Sequence, residues 1–484
     1  MTIRWLVMAL ALLTAGCGER EPAGDLGVSV IGSPPLSLDP DRVPLRRGDA
    51  ILAEATATGL VAFDSAGQIT PALAESWIVA DDGRSLIFRL RRIDWPNGRE
   101  VTGEDVARSL NRAVADASRN RLKPLLSAVD EVVGMTGRVV EVRLKVPRPH
   151  LLQLLAQPEL GVRKSGMGVG PYRATATRTG VVLLNPVVRD DDPAAATPGR
   201  RIALRGERAA LAVARFVAGD SELVLGGTVA DWPIAQQADV RRGRLHLDPA
   251  EGLFGLAIVR RDGVLGDVEV RQALAMAIDR PALGAMLGLD RWRPAEAVLP
   301  AQLDSAAAPA LPMWVAASLE QRLTEARRRV AEWRAANGPP PVLRVALPQG
   351  PGSRLLFARL AADWGRIGVR AEMVPMQDRD ADLRLIDAVA PGGSANWYLT
   401  TLSCASGLLC TGNDDTALVA SRRADSLDAR AALIAAADLA TTERASYIAL
   451  GKPIRWSLVA AGLKGWRDNA ASAHPLAELT VERP

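Results

Sequence analysis

The chain has little of the chemistry on which metal and catalytic sites depend. Its 484 residues include only three cysteines and three histidines. His150, His246 and His474 are widely separated, and none has a cysteine at the spacing of a metal-ligand motif. We therefore predict no metal site built from these residues, and no cofactor.

Motifs for hydrolysis and nucleotide binding are missing as well. There is no Gly-x-Ser-x-Gly motif, and Gly219-Asp220-Ser221 has no Asp-x-x-His motif to accompany it, so we interpret it as a surface turn. Residues 166–172 read Gly-Met-Gly-Val-Gly-Pro-Tyr and lack the spacing and flanking elements of a phosphate-binding loop. We predict that the chain is not an enzyme, and a secreted hydrolase is the distant alternative.

Charge and hydropathy exclude further classes. The formal net charge is +4, and nearly all the positive charge is arginine scattered along the chain, which indicates solvated surface rather than a nucleic-acid-binding face. Beyond the N-terminus no apolar run is long enough to span a bilayer. The chain is too long to fold around a single hydrophobic core, so we expect two or three domains.

The N-terminus has the pattern of an export signal. Arg4 precedes an apolar run over residues 5–13, and small residues lead to Cys17. We predict a signal peptide over residues 1–16, lipidation of Cys17, and a tether over residues 17–26. The alternative is a plain signal peptide with an incidental cysteine.

The two other cysteines are close together in sequence. In an exported protein, Cys404 and Cys410 are expected to form a disulfide that closes a small loop. Two free thiols are the alternative.

Residues 59–110 predict one compact β-β-α unit. Asp82-Gly83 is a two-residue hairpin signal, followed by alternating apolar and mostly charged residues over 86–91. Thr102 is placed to cap a helix with an apolar stripe made of Val106, Leu110, Ala113 and Val114.

The second half of the chain has an α/β pattern. Asp267 caps one predicted helix over 267–287, and Ser318 with Gln321 opens another. Strands over 342–347 and 369–374 flank a helix that we expect Ser353 to cap, which predicts parallel strands with a right-handed crossover. A further strand is predicted over 382–387.

The order of several motifs resembles one family. They are Leu38-Asp39-Pro40, the run from Pro71-Ala72-Leu73-Ala74-Glu75-Ser76-Trp77 to Glu104-Asp105-Val106, the segment 270–280, and Lys452-Pro453-Ile454-Arg455-Trp456-Ser457. This series is similar to that of the large extracytoplasmic solute-binding proteins of ABC importers, family 5, the peptide/nickel-binding family. Trp95-Pro96-Asn97-Gly98 stands where the family usually has an aromatic, a small polar residue and Asp-Gly.

The resemblance implies an α/β periplasmic-binding-protein fold with two lobes, a type II-like clamp of cluster C, and a small α+β domain inserted in lobe one. The implied segments are 27–55, 165–250 and 456–484 for lobe one, 56–164 for the inserted domain, and 251–455 for lobe two. Residues 166–172 would then be the turn by which the chain returns to lobe one.

Candidate ligand-binding residues follow from the same resemblance. The glycine-rich loop after residue 387 ends in Asn396, Trp397 and Tyr398, which match the aromatic part of the family's ligand-binding region. Peptide-binding members have an aspartate there, whereas Asp414 and Asp415 are the nearest later acids in this chain. Trp397 could form an aromatic wall or lie in a core. Arg455, next to Trp456, could hold a carboxylate bidentately or lie on the surface.

The function implied is that of an importer's solute-binding component. A peptide or peptide-like solute would bind between the lobes, and the closed form would dock on a membrane permease served by ATPase subunits. We expect a monomer on the periplasmic face of a bacterial membrane, anchored through Cys17, with no nucleic-acid partner. Alternatives with the same fold are a non-peptide solute (a nickel chelate, an opine or a sugar) and an envelope sensor.

Overall fold

The computed structural model describes residues 24–188, 200–241, 243–260, 262–301, 303–410 and 415–481. The predicted signal peptide, Cys17, most of the predicted tether and Asp414 lie outside the described residues. In the part of the chain that is described, no helix has both the length and the apolar character needed to cross a membrane.

The strands are numbered in chain order. They are β1 (Leu26–Ile31), β2 (Val61–Phe63), β3 (Ile69–Pro71), β4 (Ala74–Ala80), β5 (Ser85–Leu90), β6 (Val129–Gly134), β7 (Val139–Leu144), β8 (Arg163–Lys164), β9 (Met167–Gly168), β10 (Tyr172–Ala176), β11 (Val182–Pro186), β12 (Ile202–Glu207), β13 (Leu223–Gly227), β14 (Leu245–Leu247), β15 (Gly252–Ile258), β16 (Leu343–Leu347), β17 (Ala371–Pro375), β18 (Leu383–Val389), β19 (Tyr447–Gly451), β20 (Trp456–Val459), β21 (Leu463–Lys464) and β22 (Thr480–Val481).

The α-helices are numbered in the same way. They are α1 (Arg47–Thr56), α2 (Gly103–Val114), α3 (Leu151–Leu155), α4 (Ala209–Ala218), α5 (Trp232–Gln237), α6 (Val268–Ala277), α7 (Arg280–Met286), α8 (Leu319–Asn337), α9 (Pro351–Gly365), α10 (Ala395–Thr401), α11 (Thr416–Ser421) and α12 (Leu427–Arg444).

Three sheets organise these elements, and we name the bodies after them. Lobe one is built on a seven-stranded sheet with the order β10-β11-β12-β1-β13-β20-β14. Lobe two is built on a five-stranded sheet, β17-β16-β18-β15-β19, and the inserted domain on a four-stranded sheet, β4-β5-β7-β6. The exact residues at which one body ends and the next begins stay a prediction.

The centre of lobe one is parallel. Strand β1 pairs in parallel with both β12 and β13, so that Val28 lies opposite Leu204 on one side and Leu223 on the other. These apolar side chains are buried, as expected for the middle of a sheet that is covered on both faces.

The β-α-β unit predicted in lobe two is present. Strand β16 pairs in parallel with β17 and with β18, and α9 connects β16 to β17. Ser318 accepts a hydrogen bond from the Gln321 amide and caps α8 as predicted. Ser353, however, is not a cap, because α9 begins at Pro351 and Gly350 occupies the capping position.

The predicted helix over 267–287 is two helices. Asp267 caps α6 as expected, but the backbone becomes extended at Ile278, and Asp279 then caps α7 through the Ala282 amide. Pro281 gives the physical reason, because it lacks the amide that a continuous helix would use and its ring would collide with the preceding turn.

The inserted domain contains the unit predicted over 59–110, with one correction. Strands β4 and β5 form a hairpin, but Ala80 pairs with Ser85, so the connection has four residues rather than two. Asp81, Asp82 and Gly83 all have positive φ, which lengthens the turn that Asp82-Gly83 alone predicted. Thr102 caps α2 through the Asp105 amide, as predicted.

Residues 219–221 form a turn at the end of α4, but they are not all at the surface. Gly219 ends the helix in a left-handed conformation. Ser221 is buried, and its hydroxyl lies 3.1 Å from the Gly27 carbonyl oxygen and 3.0 Å from that of Leu223. Its role is therefore to tie the turn to β1.

Two segments connect the lobes. The chain passes from β14 to β15 through residues 248–251 and returns from β19 to β20 through residues 452–455. The two segments run side by side, and the Asp248 amide donates to the Arg455 carbonyl at 3.0 Å. A paired crossing of this kind is where a hinge between the lobes would lie.

Candidate ligand-binding site

The segment that carries Asn396, Trp397 and Tyr398 is a helix, not the tail of a loop. Ser394 caps α10 by accepting a hydrogen bond from the Asn396 amide. Asp304 also accepts one from the Ala395 amide at 2.8 Å, so a carboxylate lies at the positive end of this short helix. Residues 391–393 are a proline and two glycines, which are typical of a loop. The sequence therefore did not indicate that a helix begins directly after them.

The three side chains of α10 have different environments. Trp397 is half-buried, Asn396 is buried, and both line a pocket described below. Tyr398 is 1% exposed and packs edge-on against Trp397, with 4.8 Å between the ring centroids. Burial, with a smaller effect of Glu251, raises the pKa of Tyr398 above its usual value. Tyr398 is therefore a buried packing partner of Trp397.

Arg455 is buried and paired, which corrects the expectation of a surface position. Its Nη1 lies 2.6 Å from Oδ1 of Asp387, and its Nη2 donates to the Asp387 carbonyl at 3.1 Å. The carboxylate that Arg455 holds in this structure is thus the protein's own, and the pair joins the crossing segment to the end of β18.

Trp456 lies on β20 of the lobe-one sheet, in an apolar cluster that also includes lobe-two residues. It is 1% exposed, and its Nε1 donates to the Thr228 carbonyl at 2.9 Å. A Cβ at Gly227 would lie 2.1 Å from the Trp456 ring, so glycine is required for this close packing. The Trp456 indole thus packs β20 against the end of β13.

Arg47 completes a charged group at the junction of the lobes, and sequence reasoning missed it. Its guanidinium donates to the Gly226 carbonyl. Burial, and then the neighbouring Arg455, lower the pKa of Arg47 to about 10, while Asp387 and Asp231 act in the opposite sense. Among the described residues no carboxylate lies within ion-pair distance of Arg47. In the sequence Arg47 directly follows another arginine, a pattern that is typical of exposed surface residues.

A pocket lies between the inserted domain and lobe two. The cavity itself is small, about 30 Å³, which is room for a few water molecules. Leucines and a valine of the inserted domain form one wall, and α10 with Pro391 forms the other. The apolar lining includes Leu126, Val129, Leu144, Leu154 and Trp397.

Charged groups lie in the same pocket. Arg430 forms an ion pair with Asp304, and Arg148 lies beside them. Burial alone would raise the pKa of Asp304, but Arg430 and the Ala395 amide outweigh it and hold that pKa below its usual value. Burial, together with Arg430, lowers the pKa of Arg148 to about 10. Asp304 and Arg148 are therefore both charged near neutral pH.

Among the described residues, three hydrogen bonds connect the inserted domain to lobe two near this pocket. The Gly393 amide donates to Oε1 of Gln153 at 2.7 Å, and Nε2 of Gln157 donates to the Pro391 carbonyl at 2.8 Å. Nη2 of Arg148 donates to the Arg422 carbonyl at 2.8 Å. The structure therefore has the two bodies in contact, an arrangement that we call closed.

Cys404 and Cys410 are joined by a disulfide. The Cys404 amide donates to Oδ2 of Asp415 at 2.8 Å, so the small loop is tied to the start of α11. The two sulfurs and the Asp415 carboxylate lie close enough to suggest a metal cluster, but sulfurs bonded to each other are not thiolate ligands.

The three histidines do not meet at one place. His246 pairs with Asp468 and His474 with Asp248, each at 2.9 Å, on either side of Trp466. His150 lies at the pocket. Among the described residues they form no common ligand set.

Comparison with solved structures defines the class of fold. The structure of Burkholderia pseudomallei OppA superposes with a TM-score of 0.82 at 17% identity, covering 95% of this chain and 99% of that one. The Escherichia coli murein tripeptide binding protein MppA gives 0.82 at 19% identity, with coverage of 95% and 98%. The fold is therefore that of the two-lobe periplasmic binding proteins, as predicted.

Sequence comparison identifies the family. Residues 68–405 match the model described as "Bacterial extracellular solute-binding proteins, family 5 Middle". Because this match covers well over half of the chain, the protein belongs to that family, and the resemblance inferred from the order of motifs is confirmed.

A curated relative is the probable deoxycholate-binding periplasmic protein YgiS of Escherichia coli K12. It is 27% identical over 289 residues, which are 53% of this chain and 54% of YgiS. The match thus spans about half of the length of that relative.

Proposed function

We propose that this protein is the solute-binding component of an ABC importer. It captures a peptide or peptide-like solute between the lobes and delivers it to a membrane permease that works with ATPase subunits. Family membership and the two-lobe fold with a paired crossing support this proposal. The solute favours the closed form to the extent that it binds that form more tightly.

The observation that carries the proposal is the charged group at the lobe junction. Arg47 of lobe one faces the Asp387–Arg455 pair and uses one of its N–H groups on the Gly226 carbonyl. Its remaining N–H groups can bind a carboxylate such as a peptide C-terminus, and arginine is the side chain best shaped for that task.

Among the residues predicted from sequence, Asn396 and Trp397 are retained as candidate solute contacts through the pocket that they line. We assign to Arg455 the role of positioning the Asp387 side chain at the cleft between the lobes. Tyr398 and Trp456 are assigned to support because both are buried. Asp414 stays a candidate from sequence alone.

The first test is native mass spectrometry of the purified protein. A co-purified mass equal to a few amino acids would support a peptide carrier. An empty protein with no thermal shift on adding peptides, metal chelates or sugars would contradict solute capture and favour a role as an envelope sensor.

A second test addresses Arg47 directly by calorimetric titration with trialanine and with trialanine amide. We expect Arg47→Gln to weaken trialanine binding by about tenfold or more, since a hydrogen bond to a charged group is lost. Binding of the amide should change little. Arg92→Gln, an exposed arginine of the inserted domain, is the matched control. Equal losses for both peptides would overturn the role of Arg47.

We further propose that the protein is a monomer anchored through a lipid on Cys17, at the periplasmic face of a membrane. Cys17→Ala is expected to release the mature protein from the membrane fraction into the soluble fraction. Retention of the variant in the membrane fraction would contradict the anchor. A transport defect on deletion of the gene would separate an importer component from a sensor.

A further inference from the structure

The pocket between the inserted domain and lobe two has the size of a single ion. Its cavity of about 30 Å³ has room for a few water molecules, and a halide ion is only slightly larger than a water molecule. Polar side chains of both bodies line this cavity. Arg148 and His150 come from the inserted domain, and Asp304, Asn396 and Arg430 come from lobe two.

Asn396 contributes a hydrogen-bond donor that has no acceptor in the protein. The residue is 8% exposed, and its Oδ1 accepts from the Thr400 hydroxyl at 3.4 Å. Within the described part of the chain, its Nδ2 has no hydrogen-bond partner. Buried polar groups are almost always paired, so this amide indicates that an acceptor binds in the cavity.

Arg148 contributes further donors from the opposite wall. Its Nη1 and Nη2 donate to the carbonyls of Pro147 and Arg422, each at 2.8 Å, which leaves three of its five N–H groups. No carboxylate lies within ion-pair distance of Arg148 among the residues that the structure describes. His150 lies in the same wall and adds a second positive charge only when it is protonated.

The acceptors of the lining are already in use. Asp304 is the single carboxylate among the described lining residues. It accepts from the Ala395 amide at 2.8 Å and forms an ion pair with Arg430. The Ser394 hydroxyl oxygen accepts from the backbone amide of Asn396 at 3.3 Å. The groups left over are therefore donors around a small space, which favours an anion over a cation.

We propose that this pocket binds one small inorganic anion of the halide class, held between the Arg148 guanidinium and Nδ2 of Asn396. Because these two groups belong to different bodies, the bound ion links the inserted domain to lobe two and favours the closed form. The inference goes beyond the function proposed above, since the ion is not the solute and binds with or without one.

Crystals of the purified protein grown in sodium bromide test the site directly, because anomalous scattering locates bromide. We expect an anomalous difference peak between the Arg148 guanidinium and Nδ2 of Asn396. A map with no peak at this place, whatever peaks it has on the outer surface, would overturn the proposal.

Thermal denaturation tests whether the ion also binds in solution. The melting temperature is followed while sodium gluconate, whose anion is too large for the cavity, is replaced by sodium chloride at constant ionic strength. We expect a saturable rise of about 2 °C at a chloride concentration tenfold above the dissociation constant. A bromide peak in the crystal without a saturable rise in solution would mean an adventitious ion only and would overturn the proposal.

Two substitutions distinguish a bound ion from a general effect of salt. Arg148→Gln removes the positive charge, and Asn396→Asp keeps the shape while it replaces the donor by a carboxylate, so each should abolish the chloride-dependent rise. Arg92→Gln and Asn97→Asp, at exposed positions, are the matched controls and should keep it. A rise that persists in either folded site variant would overturn the assignment. If neither variant folds, as judged by circular dichroism, the bromide position in the unaltered protein still decides the question.

Arg47→Gln separates this inference from the function proposed above. The chloride-dependent rise should be kept in Arg47→Gln and lost in Arg148→Gln. The opposite result would place the anion at the lobe junction and overturn the pocket assignment. Failure of trialanine to bind would count against the peptide solute and not against the anion site.

Discussion

At the scale of single residues, the charges at the lobe junction depend on one carboxylate. Asp387 accepts from Arg455 at 2.6 Å and also offsets the positive charge of Arg47. Its side chain is only 13% exposed, so solvent screens these interactions weakly. Removing the carboxylate would leave two guanidinium groups facing each other with no opposite charge between them.

Asp387→Asn is therefore expected to lower the free energy of unfolding by about 3 kcal/mol, the cost typical of breaking a buried ion pair. Urea denaturation followed by circular dichroism measures the change. Asp130→Asn is the matched control, because Asp130 lies 4.0 Å from Lys145 with its side chain 61% exposed, and such pairs contribute at most about 1 kcal/mol. Equal effects of the two substitutions would show that the junction pair does not stabilise the fold.

At the scale of elements, α12 contains a buried acid that opposes folding at neutral pH. Asp438 is 2% exposed and accepts a hydrogen bond from the Ala310 amide at 2.7 Å, while its other oxygen has no partner. Burial raises the pKa of Asp438 to about 6, although the Ala310 amide acts against it. The folded state therefore binds the proton more tightly than the unfolded state.

The sign of the pH dependence follows from that difference. Stability should fall as the pH rises from about 4 through about 6, and the loss should persist above that range. Asp438→Asn keeps an acceptor for the Ala310 amide and removes the charge. We expect it to be more stable than the unaltered protein by roughly 2–3 kcal/mol at about pH 8, with little difference near pH 4.

Urea denaturation at both pH values measures this change. The exposed Asp428 in the first turn of the same helix is the control, and Asp428→Asn should lose at most about 1 kcal/mol through the helix dipole. A gain for Asp438→Asn that is equal at both pH values would contradict ionisation as the cause.

The start of α9 provides a steric prediction at the same scale. A Cβ at Gly352 would lie 1.8 Å from the Val229 carbonyl oxygen, so alanine there must push α9 away from residues 229–231. We expect Gly352→Ala to cost about 1–3 kcal/mol, the usual range for overpacking. Gly365→Ala, in the last turn of the same helix with nothing within 4 Å, should be neutral or gain up to about 1 kcal/mol. Chemical denaturation of both variants measures how far the close approach limits the side chain at position 352.

At the scale of the whole molecule, we expect the inserted domain to move together with lobe one. Hydrogen bonds join the inserted domain to lobe one: the Ser65 amide donates to Oε2 of Glu478 at 2.7 Å, and Nδ2 of Asn120 donates to Oδ1 of Asp41 at 3.0 Å. Contact with lobe two includes the hydrogen bonds of Gln153 and Gln157. We expect the contact with lobe two to be the one that opens.

Replacing both glutamines by alanine should shift the molecule toward an open form. Each hydrogen bond contributes about 0.5–1.5 kcal/mol, so the ratio of closed to open molecules should fall by about fivefold or more. Small-angle scattering is expected to give a larger radius of gyration for the double variant, and solute affinity should fall in proportion. Gln68→Ala, an exposed glutamine, is the control. An unchanged radius with unchanged affinity would show that these bonds do not hold the closed form.

The sequence alone determined the elements whose signals are local. Thr102, Asp267 and Ser318 cap helices within three residues of themselves, and the parallel pairing of β16 with β17 follows from one helix between two short apolar runs. The order of family motifs likewise indicated the two-lobe fold. These inferences succeeded because capping and periodicity depend on neighbours in sequence.

Only the tertiary structure showed which residues come together at the candidate sites. Arg47 lies 179 positions from Gly226, and Arg148 lies 274 positions from Arg422, yet each pair forms a hydrogen bond. Arg455 looked like a ligand-binding or surface residue until its partner Asp387 was known. Burial and charge balance are sums over everything that packs around a group, so residues distant in the chain determine whether an arginine is paired or available to a ligand.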